Sequence, residues 1–213
     1  MYCHGLDSGA NGATVHIMEP PASRRMQAPR LPPGQHKTAG WPRLDLGIVP
    51  RFDPKTWTVR IDGTVGTPTT LTWDQYLALP RTALTADFHC VTAWSRFDNR
   101  WEGVSFKTIV DLVNPKPEAK YVVLTSADAG YTTNLPLAAL LDDDVLLADR
   151  HDGRALPLEH GGPMRLVVPK RYAWKSAKWL RQITFLDRDE PGYWEVRGYS
   201  NTADPWTEDR YSF

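Results

Sequence analysis

The sequence predicts an α+β fold of short strands, a few short helices and long loops. Three observations carry this. Several short runs either alternate apolar and polar residues or are apolar throughout, and Gly, Pro or Asp bounds them. A few stretches show a capping residue ahead of an apolar helical face. The segments between are rich in the 18 prolines and 15 glycines, which interrupt regular structure.

With 213 residues the chain is long enough for one domain with an appendage. Lys plus Arg and Asp plus Glu both number 25, so the net charge is zero, and neither nucleic acid nor an anionic membrane is expected as a partner. Charges or prolines interrupt every apolar run before it reaches a membrane span. Arg24-Arg25 is followed by Met26-Gln27-Ala28-Pro29-Arg30 and not by the apolar stretch of an export signal. The two cysteines, Cys3 and Cys90, are read as free thiols of a reducing compartment, so a cytoplasmic location is expected.

Residues 1–30 lack apolar periodicity and are expected to form a disordered or arm-like extension. The domain is expected over 31–213. Trp41, Leu44 and Leu46, set among prolines and glycines, suggest a loop packed onto it. Trp57–Gly63 alternates as a half-buried strand does. Thr72-Trp73-Asp74-Gln75 reads as a capping box opening a short helix through Leu79, stopped by Pro80. Residues 82–94 read as a strand carrying Cys90. Ser105 caps an amphipathic helix that ends before Pro115. Tyr121–Ser126 is a buried strand. Tyr131–Leu135 is expected to enter a helix with Pro136 in its first turn. Val145–Asp149 reads as a strand, followed by a turn at Asp152-Gly153. Met164–Val168 and Ile183–Leu186 complete the strands.

The chemistry centres on Asp87-Phe88-His89-Cys90-Val91-Thr92-Ala93-Trp94-Ser95. A lone thiol is commonly a small buried hydrophobe, and the local sequence favours that reading. His89 is badly placed as a base for Cys90, because successive strand residues face opposite ways. No Cys or His spacing matches a zinc site. A soft metal that brings its other ligands needs only one protein thiolate, and this is the active reading that fits best. A second cluster is Glu159-His160-Gly161-Gly162-Pro163-Met164-Arg165, then Lys170-Arg171-Tyr172-Ala173-Trp174-Lys175-Ser176-Ala177-Lys178. It reads either as a solvated basic face or as an anion pocket, with Arg165 offering a planar fork and Lys178 a point charge. Thr125-Ser126 and the loop after it are read as ordinary turn chemistry. Tyr199 is read as a pocket handle or an aromatic lid.

Together, in order over residues 31–213, these stretches resemble the oxidoreductase molybdopterin-binding domain family, to which sulfite oxidase belongs. His89–Ser95 looks like the segment whose cysteine ligates molybdenum. Leu156–Pro169 looks like the pterin-binding loop and strand, and Ser176-Ala177-Lys178-Trp179 like the phosphate-holding segment. The resemblance implies a sulfite-oxidase-type fold of mixed sheets. It implies Cys90 as the molybdenum ligand and Leu44, Asp45, Thr125, His160, Arg165, Ser176, Ala177 and Lys178 as molybdopterin contacts. His160 falls where the sulfoxide-reductase branch has Asn and the sulfite-oxidase branch has His. Tyr199 lies where sulfite oxidases place an active-site tyrosine. Arg43 falls near an anion-binding arginine, although Leu44-Asp45 departs from that branch's Arg-Asn-His.

The activity implied is molybdenum-molybdopterin-dependent two-electron redox or oxygen-atom transfer on a small sulfite- or sulfoxide-like molecule. Substrate is expected near Tyr199, His89 or Trp94, and electrons from a separate, unidentified carrier. No haem is expected, since no His-Pro-Gly-Gly motif occurs. The alternative is a non-catalytic molybdopterin carrier or redox accessory protein.

Overall fold

The computed structural model describes residues 29–212. All but the last two residues of the expected arm, and Cys3 with them, lie outside the described residues. Two sheets carry the fold. In chain order the strands are β1 (His36–Lys37), β2 (Thr58–Gly63), β3 (Thr69–Thr72), β4 (Thr82–His89), β5 (Trp94–Ser105), β6 (Tyr121–Ser126), β7 (Thr132–Pro136), β8 (Leu146–His151), β9 (Arg154–Ala155), β10 (Arg165–Val167) and β11 (Leu180–Leu186). The α-helices are α1 (Trp73–Leu77), α2 (Phe106–Val113) and α3 (Leu137–Leu140).

The first sheet is built around β5. One edge of β5 takes β4 antiparallel. The other takes β1, parallel, at His36↔Trp94 and then β8, antiparallel, from Trp101↔His151 onward. β10 follows on β8 and β9 closes its end. Gly103 is required here, because a Cβ would sit 1.9 Å from the Leu147 carbonyl oxygen of β8. The second sheet runs β3-β2-β11-β6-β7, with β2 and β11 parallel.

The main core contains Val59 and Ile61 of β2, Val122 and Leu124 of β6, Ile183 and Phe185 of β11, and Leu147 and Leu166 of the first sheet. Helix α2 adds Phe106, Ile109 and Val113, the spacing of one helical face. A second cluster lies on the other face of the first sheet: Phe88, Cys90, Trp94, Trp101, Leu146, Ala148, Leu156 and Val167. Alternation explains the division, since Leu166 points to one face of β10 and Arg165 and Val167 to the other.

The capping box forms as expected, with Thr72 Oγ1 accepting from Gln75 N and Gln75 Oε1 from Thr72 N. Ser105 caps α2. Two expectations are corrected. Residues 132–136 form a strand, and helix follows only for the single turn of α3 beyond Pro136. Thr132, Thr133 and Asn134 are weak helix formers, and pairing with β6 from Tyr121↔Pro136 to Thr125↔Thr132 fixes them as a strand. The expected strand over 82–94 ends at His89, and Cys90 to Ala93 make a turn into β5. β5 had no counterpart in the sequence reading. The period-two signal was there, since Arg96, Asp98, Arg100 and Glu102 mark the more exposed face of β5 against the buried Asn99, Trp101 and Gly103, and it was not read.

Candidate active site

Because Cys90 stands in the turn between β4 and β5, its side chain is not bound to strand alternation. The turn is closed by Cys90 N donating to Trp94 O at 2.9 Å and Ala93 N to Cys90 O at 3.1 Å. Gln35 Nε2, beside β1, also donates to Cys90 O at 3.1 Å. The thiol is 5% exposed and lies 3.1 Å from the Thr92 hydroxyl. Burial pushes its pKa up, and the Thr92 hydroxyl opposes this.

Cys90 opens into a cavity of about 340 Å³. Leu44, Asp45, His160, Arg165, Ser176, Ala177, Lys178, Tyr199 and Arg43 line the same space. The walls come from the loop before β2, the β4–β5 turn, the loop after β6, β10, the 173–178 segment and the C-terminal segment. Of the named residues, Thr125 is outside the lining. It pairs in β6 with Thr132, and alternation turns the next residue, Ser126, to the cavity. His89 is also outside it. Its buried Nδ1 lies 2.8 Å from Ser95 Oγ, and its ring meets Trp206 edge-on.

Arg165 is the electrostatic centre. Its guanidinium is buried and gives Nη1 to His160 O at 2.9 Å, Nη2 to Ser176 O at 2.9 Å and Nε to Leu166 O at 3.3 Å. It sits 4.9 Å from the Phe88 ring centroid and 5.6 Å from that of Trp101. No carboxylate forms an ion pair with it among the described residues. Burial pulls its pKa down to about 9. Such a cation attracts an anion into the cavity.

Lys178 gives Nζ to Leu44 O at 2.6 Å and lies 3.8 Å from Asp45 Oδ2. Burial, then the nearby Arg165, lowers its pKa to about 8. Asp45 is pinned by Gly47 N at 2.8 Å and Arg43 Nε at 3.0 Å. Gly161, at φ +107°, lets the 158–162 turn pass Lys178, whose Cβ would be 2.9 Å from an added Cβ. The His160 ring lies parallel to Trp41 with centroids 3.8 Å apart, and burial lowers its pKa to about 4, so it is neutral at pH 7. Tyr199 lies edge-on to Trp174 at 5.3 Å, and burial raises its pKa.

The sequence reading passed over Ser126 and Asp128 as turn residues. In the fold Ser126 Oγ and Asp128 Oδ1 are buried in the cavity wall without a hydrogen-bond partner. Burial raises the Asp128 pKa to about 6. The available signal was parity, since an inward residue at 126 continues the buried 122 and 124 of β6.

The chemistry of this donor set suits a molybdenum pterin. One soft sulfur stands on the wall, and no group of three His, Cys, Asp or Glu able to hold a metal occurs among the described residues. A metal at Cys90 therefore needs ligands supplied by its cofactor. Arg165 and Lys178 suit an anionic group, and the orphaned Ser126 and Asp128 oxygens suit the N–H groups of a pterin ring.

Comparison with known proteins agrees. The model of the oxidoreductase molybdopterin binding domain matches residues 46–194. An uncharacterized oxidoreductase, YuiH, from Bacillus subtilis is 44% identical over 188 residues, covering 88% of this chain and 94% of its own. The catalytic subunit of the protein-methionine-sulfoxide reductase MsrP from Gluconobacter oxydans is 32% identical, covering 67% of this chain and 51% of its own. The present chain thus spans about half the length of that reductase. The crystal structure of the sulfane dehydrogenase SoxCD from Paracoccus pantotrophus superposes with a TM-score of 0.61 at 27% identity, over 66% of this chain and 40% of that one.

Fold, cavity and relatives define an oxidoreductase of the molybdopterin class, and the sequence-based expectation of fold and enzyme class holds. The chain belongs to the oxidoreductase molybdopterin-binding domain family, the sulfite oxidase family.

Proposed function

We propose that this protein uses a molybdenum-molybdopterin cofactor to exchange two electrons, with oxygen-atom transfer, with a small sulfite- or sulfoxide-like substrate. The observation that supports it most is the pairing, in one cavity, of a buried thiol with a buried cation that no carboxylate among the described residues neutralises. The relative named as a protein-methionine-sulfoxide reductase supports the sulfoxide side of this reading. When bound, the cofactor supplies a two-electron redox couple and the capacity to exchange oxygen.

The chain's own residues do the rest. Cys90 gives one thiolate, for which its proton must leave. Arg165 and Lys178 would hold the cofactor's anionic group, and Ser126, Asp128 and the neutral His160 would offer hydrogen bonds to its pterin. Leu44, Asp45, Ser176 and Ala177 shape the cavity. Trp174, Trp194 and Tyr199 exclude water beside Cys90. In the reductive direction a sulfoxide takes up two electrons and two protons and leaves as thioether and water. The electrons come from a separate carrier. We place the protein in the cytoplasm on the strength of its free buried thiol; detection in a periplasmic fraction would reverse that.

The test is protein purified from a molybdate-fed, cofactor-competent host. Molybdenum near one atom per chain, pterin fluorescence, and turnover with sulfite and ferricyanide or with sulfoxides and reduced viologen are expected. All three are lost or strongly reduced in Cys90→Ala. Cofactor binding without turnover on any of these substrates would make the protein a carrier. Full metal content and turnover in Cys90→Ala would remove the thiolate assignment.

A further inference from the structure

The cavity wall is not uniform. Arg165, Lys178, Ser126 and Asp128 bring polar groups to the wall, while Val91, Trp174, Trp194 and Tyr199, which belong to one packed cluster, form an apolar part of it beside Cys90. Trp174 is held from several directions. Its indole N–H donates to Glu195 Oε1 at 3.0 Å. That oxygen also accepts from Lys175 Nζ at 2.6 Å and Thr133 Oγ1 at 3.1 Å. Lys175 is fully buried and gives a further bond to Asn134 O at 2.8 Å. The Trp174 carbonyl accepts the Tyr131 hydroxyl. The ring stacks near-parallel on Tyr172 at 5.5 Å and meets Tyr199 edge-on at 5.3 Å. Swinging this indole aside would break a buried, charge-assisted hydrogen bond and leave its N–H without that partner, while Glu195 stayed fixed by Lys175 and Thr133.

We propose that Trp174 is a specificity-determining residue: its clamped indole sets the width of the cavity beside Tyr199 and so limits the bulk of the substrate that reaches the space beside Cys90. This rests on the oxidoreductase reading above and adds the constraint of size. A wall that cannot yield rejects excess bulk, whereas a flexible one would repack around it. The favoured substrates carry small substituents on the reacting atom.

The test compares molybdenum-loaded wild type, Trp174→Phe and Trp174→Ala with reduced methyl viologen and three sulfoxides: dimethyl, methyl butyl and methyl phenyl. In Trp174→Ala the ratio of kcat/KM for methyl phenyl over dimethyl sulfoxide is expected to rise by about tenfold or more. Trp174→Phe keeps an aromatic wall and gives an intermediate ratio, and it carries the test should the alanine variant not fold. Turnover with a wild-type ratio in the folded variants overturns the size limit alone. Failure of the loaded wild type on all three sulfoxides and on sulfite overturns the oxidoreductase reading, and the size limit falls with it.

Discussion

Arg165 Nη2 donates to the carbonyl of Ser176 at 2.9 Å, so the cation in the cavity wall also fastens the segment that leads to Lys178. The same guanidinium holds the His160 and Leu166 carbonyls, in directions only a planar fork can serve. Arg165→Lys keeps the charge and loses the fork. Molybdenum content of the purified protein is expected to fall by about tenfold or more. The cofactor-free protein is expected to lose about 1–3 kcal/mol in urea unfolding, as buried carbonyls lose partners. Unchanged metal content would show that charge alone suffices.

Cys90 in cofactor-free protein is a poor nucleophile at neutral pH, because burial raises its pKa. Thr92→Val removes the hydroxyl 3.1 Å away that favours the thiolate. The midpoint of the pH profile for iodoacetamide alkylation, read by mass spectrometry on the Cys90 peptide, is expected to move further up. A downward or unchanged midpoint would show that this contact does not reach the ionised sulfur.

Asp128 titrates at about 6 in the fold, against about 4 in an unfolded chain. Between those values the folded state binds the proton more tightly, so stability falls as pH rises through the window and the whole cost stands above it. Asp128→Asn is therefore expected to stabilise the cofactor-free protein by about 2 kcal/mol at pH 8 and by almost nothing at pH 4. The same substitution removes an acceptor from the cavity wall and is expected to lower pterin retention. Equal urea midpoints at both pH values would count against the shift.

Lys175 and Glu195 form a buried pair at 2.6 Å, and burial lowers the lysine's pKa. Lys175→Met leaves the carboxylate without its cation, at an expected cost of about 3–5 kcal/mol. That corresponds to a Tm lower by roughly ten degrees. Combining it with Glu195→Gln removes the stranded charge and keeps an acceptor for Trp174, so most of the loss should return. Additive losses in calorimetry would mean the two groups act independently.

The sequence by itself determined the α+β class, the capping box at Thr72, the Ser105-capped helix and the strands β2, β6, β8, β10 and β11, with the start of β4. These follow from spacing of two or 3.6 residues, which is local. It also carried the family, because the stretches around Cys90, Arg165 and Lys178 keep their residue types and order. Tertiary structure decided the rest. It ended β4 at His89, which put Cys90 in a turn facing the cavity, and it made residues 132–136 a strand by pairing them with β6. It turned Ser126 inward and left Thr125 outside the lining. It brought Asp45 to Lys178 and Lys175 to Glu195. Burial and shifted charge states arise from neighbours far apart along the chain, so a one-dimensional pattern cannot express them.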